Sequence, residues 1–160
     1  MPIQIRSATA ADLPLILQLI RELAAYENLS HQVEAGEEKL RATLFPPAGP
    51  ATAECLLAFV AGGAPAGFAV YFQTYSTFLA KPGLYLEDLF VRPEFRRRGI
   101  GKALLLQIAR IANQRGCGRM EWSVLDWNEP AQAFYRSLGA AVLPDWRICR
   151  LTGPALAKYG

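Results

Sequence analysis

The stretch CLLAFVAGGAPAGFAVYF, residues 55–72, is the most apolar part of the chain and limits the fold more than any other. Its length is close to that of a membrane-spanning helix, which needs about 20 apolar residues. The run Gly62, Gly63, Ala64, Pro65 would break such a helix in the middle. Two strands, at about 54–61 and 66–76, joined by a GGAP hairpin, satisfy the same residues. A sheet with a buried core follows. With 160 residues, 52% hydrophobic and 19% charged, the chain has the material for one compact domain over 1–160 and too little for two.

The remaining segments supply the partners of that hairpin. IQIRSA alternates apolar and polar residues and reads as a strand over 3–8. Thr9 with Asp12 three residues on gives a capping-box signal. Leu13, Ile16, Leu17, Ile20, Leu23 and Ala24 then form a stripe at helical spacing, so 10–25 is an amphipathic helix. A weaker helix is expected over 34–44, a strand over 84–91, and a helix over 100–115 with Leu104, Leu105, Ile108 and Ile111 on one side. Strand 119–125, helix 129–138, with Pro130 in its first turn and Gly139 just past its end, and a last strand WRICRL complete the series. The order β-α-α-β-β-β-α-β-α-β makes the fold class α/β (α+β), with a mixed, mostly antiparallel central sheet and helices on both faces.

Several functions are excluded or weakened by composition. A net charge of +3 is small for a dedicated nucleic-acid binder. Cys55, Cys117 and Cys149 are too far apart for a zinc knuckle or a disulfide framework, and His31 is the single histidine, so no metal site is expected. The N-terminal residues show no basic start followed by an apolar run. A soluble, cytoplasmic protein in a reducing compartment is the expectation.

The chemistry concentrates in RPEFRRRGIGKALL, residues 92–105. Here a strand runs through a glycine turn into a helix start. The first N–H groups of a helix lack internal partners, and the helix dipole favours negative charge there. Gly99 and Gly101 let backbone approach an anion closely. Arg96, Arg97 and Arg98 add charge and forked donors. A diphosphate suits this turn. The segment is neither a dinucleotide fingerprint, because Leu104 stands at the third glycine position, nor a phosphate loop of the Walker type, because Ala103 follows Lys102. From these residues alone, a solvated basic turn remains an alternative.

Arg96, Gly99 and Gly101 in R-x-x-G-x-G resemble the coenzyme A pyrophosphate motif of the GNAT acetyltransferases. Asn128 to Ala140, N-x-x-A-x-x-F-Y-x-x-x-G-A, is similar to that superfamily's second motif. RELAAYE (21–27), YLEDLFV (85–91) and VLDWNEPAQAFYRSLGA (124–140) resemble its diamine branch, the spermidine/spermine and thialysine N-acetyltransferases. The resemblance spans nearly the whole chain.

What the resemblance implies is direct attack of a neutral amine on the thioester of acetyl-CoA. It implies that the pyrophosphate lies on the turn 97–102, so that Arg97, Arg98, Gly99, Ile100, Gly101 and Lys102, with Arg96, bind the coenzyme. It implies that the pantetheine pairs with the backbone of Leu89, Phe90 and Val91, one of whose N–H groups holds the oxyanion. Asn128, a natural helix N-cap, borders the coenzyme with Glu129, Pro130 and Ala131. Tyr135 matches the family's catalytic tyrosine, whose phenol protonates the departing thiolate; on position alone it is an ordinary helix aromatic. Glu87 matches the residue that contacts the amine or relays its proton; unaided, a structural ion pair explains it as well. Tyr26, Glu27, Glu121, Trp122 and Ser123 match substrate-binding positions. An aromatic face beside a carboxylate suits an ammonium group.

The departures bear on specificity. Where the polyamine enzymes carry an acidic residue and a tryptophan, this chain has Ser76 and Phe78. Fewer acidic groups grip a long polycation less well, which favours a small mono- or diamine or an amino acid with a side-chain amine. A homodimer is expected from the family. Two rival readings share the machinery: acetylation of a protein lysine or N-terminus, and a CoA-binding module without catalysis.

Overall fold

The computed structural model describes residues 2–160, which form two compact units that meet in sequence between Ser123 and Val124. The first unit runs β1 (Gln4–Ser7), α1 (Leu13–Tyr26), α2 (Glu37–Leu44), β2 (Glu54–Val60), β3 (Ala64–Ser76), β4 (Lys81–Val91), α3 (Ile100–Gln114) and β5 (Arg119–Trp122). The second contains α4 (Glu129–Ser137) and α5 (Gly153–Ala157).

The sheet has the order β1-β2-β3-β4-β5. Its first three pairings are antiparallel and the fourth is parallel. The parallel pairing follows from the connection, because a return through a helix brings the chain back in the same direction. The expected hairpin forms, with Gly62 and Gly63 both at positive φ in its turn. One face of the sheet carries Cys55, Leu57, Phe68, Val70 and Phe90 against Ile16 and Leu19 of α1 and Leu44 of α2. Leu56, Ala69 and Tyr71 alternate with these and turn to the other face. There α3 buries Ile100, Leu104, Leu105 and Ile108. Helices therefore cover both faces, as the sequence led us to expect.

The start of α1 shows how closely local signals are obeyed. Residues 10–12 form a tight 3-10 turn before the helix proper. The Asp12 carboxylate accepts from the Thr9 backbone N–H at 2.8 Å and takes both Arg6 guanidinium nitrogens at 2.8 and 2.9 Å. Arg6 is the main reason that this carboxyl lies well below the usual carboxylate range.

The expected last strand is corrected. Residues 140–152 adopt no regular structure, and a short helix follows that the sequence did not announce. The alternation in WRICRL shows which side chains a strand would bury together, but not that a ladder partner exists. Here Trp146, Ile148 and Leu151 are all exposed.

A candidate active site along an open strand edge

β4 changes character half-way along. Gly83–Leu86 pair with Arg119–Trp122 of β5. Beyond Leu86 no strand among the described residues pairs with β4 on that side. The change coincides with an irregularity on the other side. Val70 of β3 pairs with Asp88 and Tyr71 with Leu86, so Glu87 is an extra residue, a β-bulge. The bulge leaves the Glu87 side chain exposed and half-buries Asp88.

The register decides which backbone groups face the open edge. Phe68 pairs with Phe90 and Gly67 with Val91, and the Arg92 N–H donates to the Ala66 carbonyl at 2.8 Å. Antiparallel ladders alternate, so Asp88, Phe90 and Arg92 direct their backbone polar groups to β3. Leu89 and Val91 direct theirs outward. Of the three residues expected to pair with a coenzyme, Leu89 and Val91 present backbone to the edge and Phe90 does not.

The arginine-glycine turn follows directly. Arg97 and Gly99 both take left-handed conformations, with φ of 62° and 78°. A left-handed residue followed by a right-handed one, as at Gly99 and Ile100, makes a concave set of N–H groups that suits an anion. Ile100, Gly101 and Lys102 form the first turn of α3, where N–H groups have no helical partner. A Cβ at Gly101 would come no nearer than 3.7 Å to Val91, so the fold does not need glycine there. Glycine inside a helix costs about 1 kcal/mol relative to alanine. The turn has the N–H donors to hold an anion such as a pyrophosphate. Arg97 and Arg98 are exposed. A cleft of about 480 Å³ beside the turn is lined by Ile3, Ile5, Gly99, Lys102, Gln107 and Arg110.

Arg96 is held differently from its neighbours. Its Nε donates to the Val91 carbonyl at 2.8 Å, and its guanidinium lies 4.6 Å from the Tyr26 ring centre and 5.6 Å from that of Phe90. Tyr26 ends α1, and Glu27 caps it. Burial raises the Glu27 carboxyl above its ordinary value. Asp88 is pushed up to about 7, chiefly by burial and then by the negative charges of Glu87 and Glu27. Acid chemistry therefore gathers where α1 ends and β4 opens. Asp88 is not among the site residues expected from the sequence. Its signal was a carboxylate in an apolar strand, which is costly to bury without a partner.

Glu121, Trp122 and Ser123 lie at the end of β5. Glu121 accepts from Arg119 at 3.0 Å, and the Ser123 hydroxyl shares a 2.8 Å hydrogen bond with the Tyr85 phenol. The Cys55 thiol is pushed up to about 12 by burial, which removes it as a nucleophile.

The second unit builds its helix from the expected signals. Asn128 Oδ1 accepts from the Ala131 N–H at 3.3 Å as an N-cap, and Pro130 stands in the first turn. Gln132 is buried and ties the loop before the helix by donating to the Leu125 and Asp126 carbonyls. Tyr135 is half-buried, with its ring 5.4 Å from that of Phe134.

Comparison with known proteins gives these features a family. Residues 18–140 match the Acetyltransferase (GNAT) family. The chain belongs to that family. It is 40% identical to a thialysine N-epsilon-acetyltransferase of Bos taurus, with 98% of this chain and 96% of that protein aligned. It is 36% identical to an L-ornithine N5-acetyltransferase of Arabidopsis thaliana, over 96% of this chain and 86% of that one. Among solved structures, an integron cassette protein from the mobile metagenome of V. cholerae superimposes with a TM-score of 0.79 at 28% identity, over 99% and 98% of the two chains. GNAT acetyltransferases take their acetyl group from acetyl-CoA, and the protein is an N-acetyltransferase of this kind. Among the described residues no helix is long and apolar enough to cross a membrane.

Proposed function

We propose that the protein transfers an acetyl group from acetyl-CoA directly to the primary amine of a small substrate, an amino acid with a side-chain amine in preference to a long polyamine. The observation that carries this is the open half of β4 beside the anion-binding turn. The coenzyme, when bound, supplies an acetyl thioester. This chain supplies the rest.

The N–H groups of the turn 97–102 hold the pyrophosphate, helped by Arg97 and Arg98. The outward backbone groups of Leu89 and Val91 take the pantetheine amides as an added strand would. Leu89 N–H is the oxyanion donor, because the Phe90 N–H is directed to β3. An amine arrives as an ammonium and must lose a proton before it attacks. Glu87 takes that proton directly or through water, while Glu27 and Asp88 add the negative charge that attracts the cation. The ring of Tyr26 offers a face to the same cation. Glu121, Trp122 and Ser123 line the substrate's path. Tyr135, on α4, donates the proton to the leaving sulfur, and Asn128, Glu129, Pro130 and Ala131 contact the coenzyme; these roles rest on the match to the family's second motif.

Two observations support the substrate class. Ser76, at the position where the polyamine enzymes have an acid, is buried, and its hydroxyl accepts from the Leu79 N–H, so it serves the turn after β3. The two named relatives act, by their names, on thialysine and L-ornithine. A homodimer and a cytoplasmic location belong to the same proposal. The exposed apolar side chains Trp146, Ile148 and Leu151 support the first, and three unpaired cysteines support the second.

The test is release of free thiol from acetyl-CoA with a panel of thialysine, ornithine, short diamines, spermidine and lysine peptides. The highest kcat/KM is expected with an amino acid bearing a side-chain amine. Turnover of peptides alone would favour a protein acetyltransferase. Binding of CoA without turnover of any amine would favour a binding module.

A further inference from the structure

The open edge of β4 exposes four outward backbone groups, and one of them is already taken. The Val91 carbonyl accepts from Arg96 Nε at 2.8 Å. The N–H and C=O of Leu89 and the N–H of Val91 remain. The same guanidinium lies over Tyr26 at 4.6 Å and over Phe90 at 5.6 Å, both within cation–π range. Phe90 is fixed in the core at 4% exposure, whereas the Tyr26 ring is 42% exposed. Arg96 therefore connects a buried ring, an exposed ring and the last carbonyl of the edge. The other arginine at this end of β4 is placed otherwise. Arg92 forms a two-pronged ion pair with Glu22 at 2.9 Å and donates to the Pro65 carbonyl at 3.0 Å, which ties α1 to the β2–β3 hairpin.

We propose that Arg96 is a positioning residue that stops the open edge at the Val91 carbonyl and steadies the Tyr26 ring, so that an extended amide ligand can register only on Leu89 and the Val91 N–H. An edge with all four groups available would admit the ligand in more than one register, and a slip moves every group along it. With the carbonyl of Val91 closed, a thioester at the ligand's end has one place relative to the Leu89 N–H. Arg96 thus acts on the pantetheine and the amine, and leaves the phosphates to the turn. This rests on the function proposed above.

The test compares two ligands by calorimetry on the full chain: CoA, and 3′-phosphoadenosine 5′-diphosphate, which carries all the phosphates and no pantetheine. Arg96→Met is expected to weaken CoA about tenfold, because the edge and the Tyr26 ring lose the order that registers the pantetheine, and to leave the nucleotide within about twofold. In turnover it should raise the amine KM. Arg96→Lys, which keeps a cationic donor, should recover most of the CoA affinity. Tyr26→Leu should raise the amine KM alone, and the double variant should fall short of the product of the two effects, because they share one contact. Equal losses for both ligands in Arg96→Met would make Arg96 a phosphate ligand and overturn the proposal. Unchanged CoA affinity, or independent effects of the two substitutions, would also overturn it. Should Arg96→Met fail to fold, Arg96→Lys and Tyr26→Leu carry the same comparison. A wild-type protein that binds neither ligand would instead overturn the proposed function.

Discussion

Over Gly83–Leu86, β4 is paired on both sides; over Leu89–Val91, three residues further on, it is paired on one. The first half carries Leu84 and Leu86, at 0% and 2% exposure, and behaves as core. The second half keeps Phe90 in the core while the backbone groups of Leu89 and Val91 are directed away from β3. One extra residue, Glu87, separates them. On the proposed function, one strand is scaffold and binding site at once, because a bulge ends one ladder without ending the other. The cost of such an arrangement is an exposed edge, a template for unwanted pairing, and Arg96 blunts it.

The largest expected effects come from breaking each half in turn. Leu84→Ala should lower stability by about 2–5 kcal/mol, read as a fall in the denaturation midpoint, with kcat per folded molecule retained. Leu89→Pro removes an outward N–H and no bond to β3. It should cost far less stability than Leu84→Ala, while kcat falls by about 10²–10³, the range for loss of one oxyanion donor. Activity that survives Leu89→Pro would deny the open half its role.

Tyr135→Phe sharpens the division between holding the thioester and protonating the sulfur. A fall in kcat of about a hundredfold is expected, with acetyl-CoA affinity little changed. The defect should grow with an acyl donor whose leaving thiol is more basic, whereas that of Leu89→Pro should not. Rates equal to wild type on both donors would remove Tyr135 from the mechanism.

The smallest effect concerns the junction. Asp88 is raised to about 7 in the folded chain, against an ordinary value of about 4. Between those values the folded state holds a proton that the unfolded state gives up. Stability should therefore fall as pH rises from about 4 to 7 and stay lowered above it. Asp88→Asn should flatten that slope and gain most over wild type above pH 7, by thermal unfolding. Identical slopes for the two proteins would mean that Asp88 keeps its charge in the fold.

Much of this was legible in the sequence, for identifiable reasons. The GGAP break in an apolar run could be only a hairpin, and the stripes of α1 and α3 are set by periodicity alone. Gly99 announces its turn because glycine takes a left-handed conformation most readily, whereas Arg97, which takes one too, gives no such signal. The bulge at Glu87 was invisible, since it exists only relative to the partner strand β3. For the same reason WRICRL reads as a strand although, among the described residues, no ladder receives it. That the Arg96 guanidinium lies against the ring of Tyr26, at the end of α1, is announced by no local pattern. Asp88 is a carboxylate in an apolar strand, but its burial depends on which way the bulge turns it.

The most direct test of the open edge is amide hydrogen exchange at single-residue resolution with and without CoA. Binding is expected to protect the Leu89 and Val91 N–H groups by about tenfold or more, while the Phe90 amide and those of Leu84 and Leu86, already committed to ladders, change little. Unchanged exchange at Leu89 and Val91 in the presence of bound CoA would contradict the account.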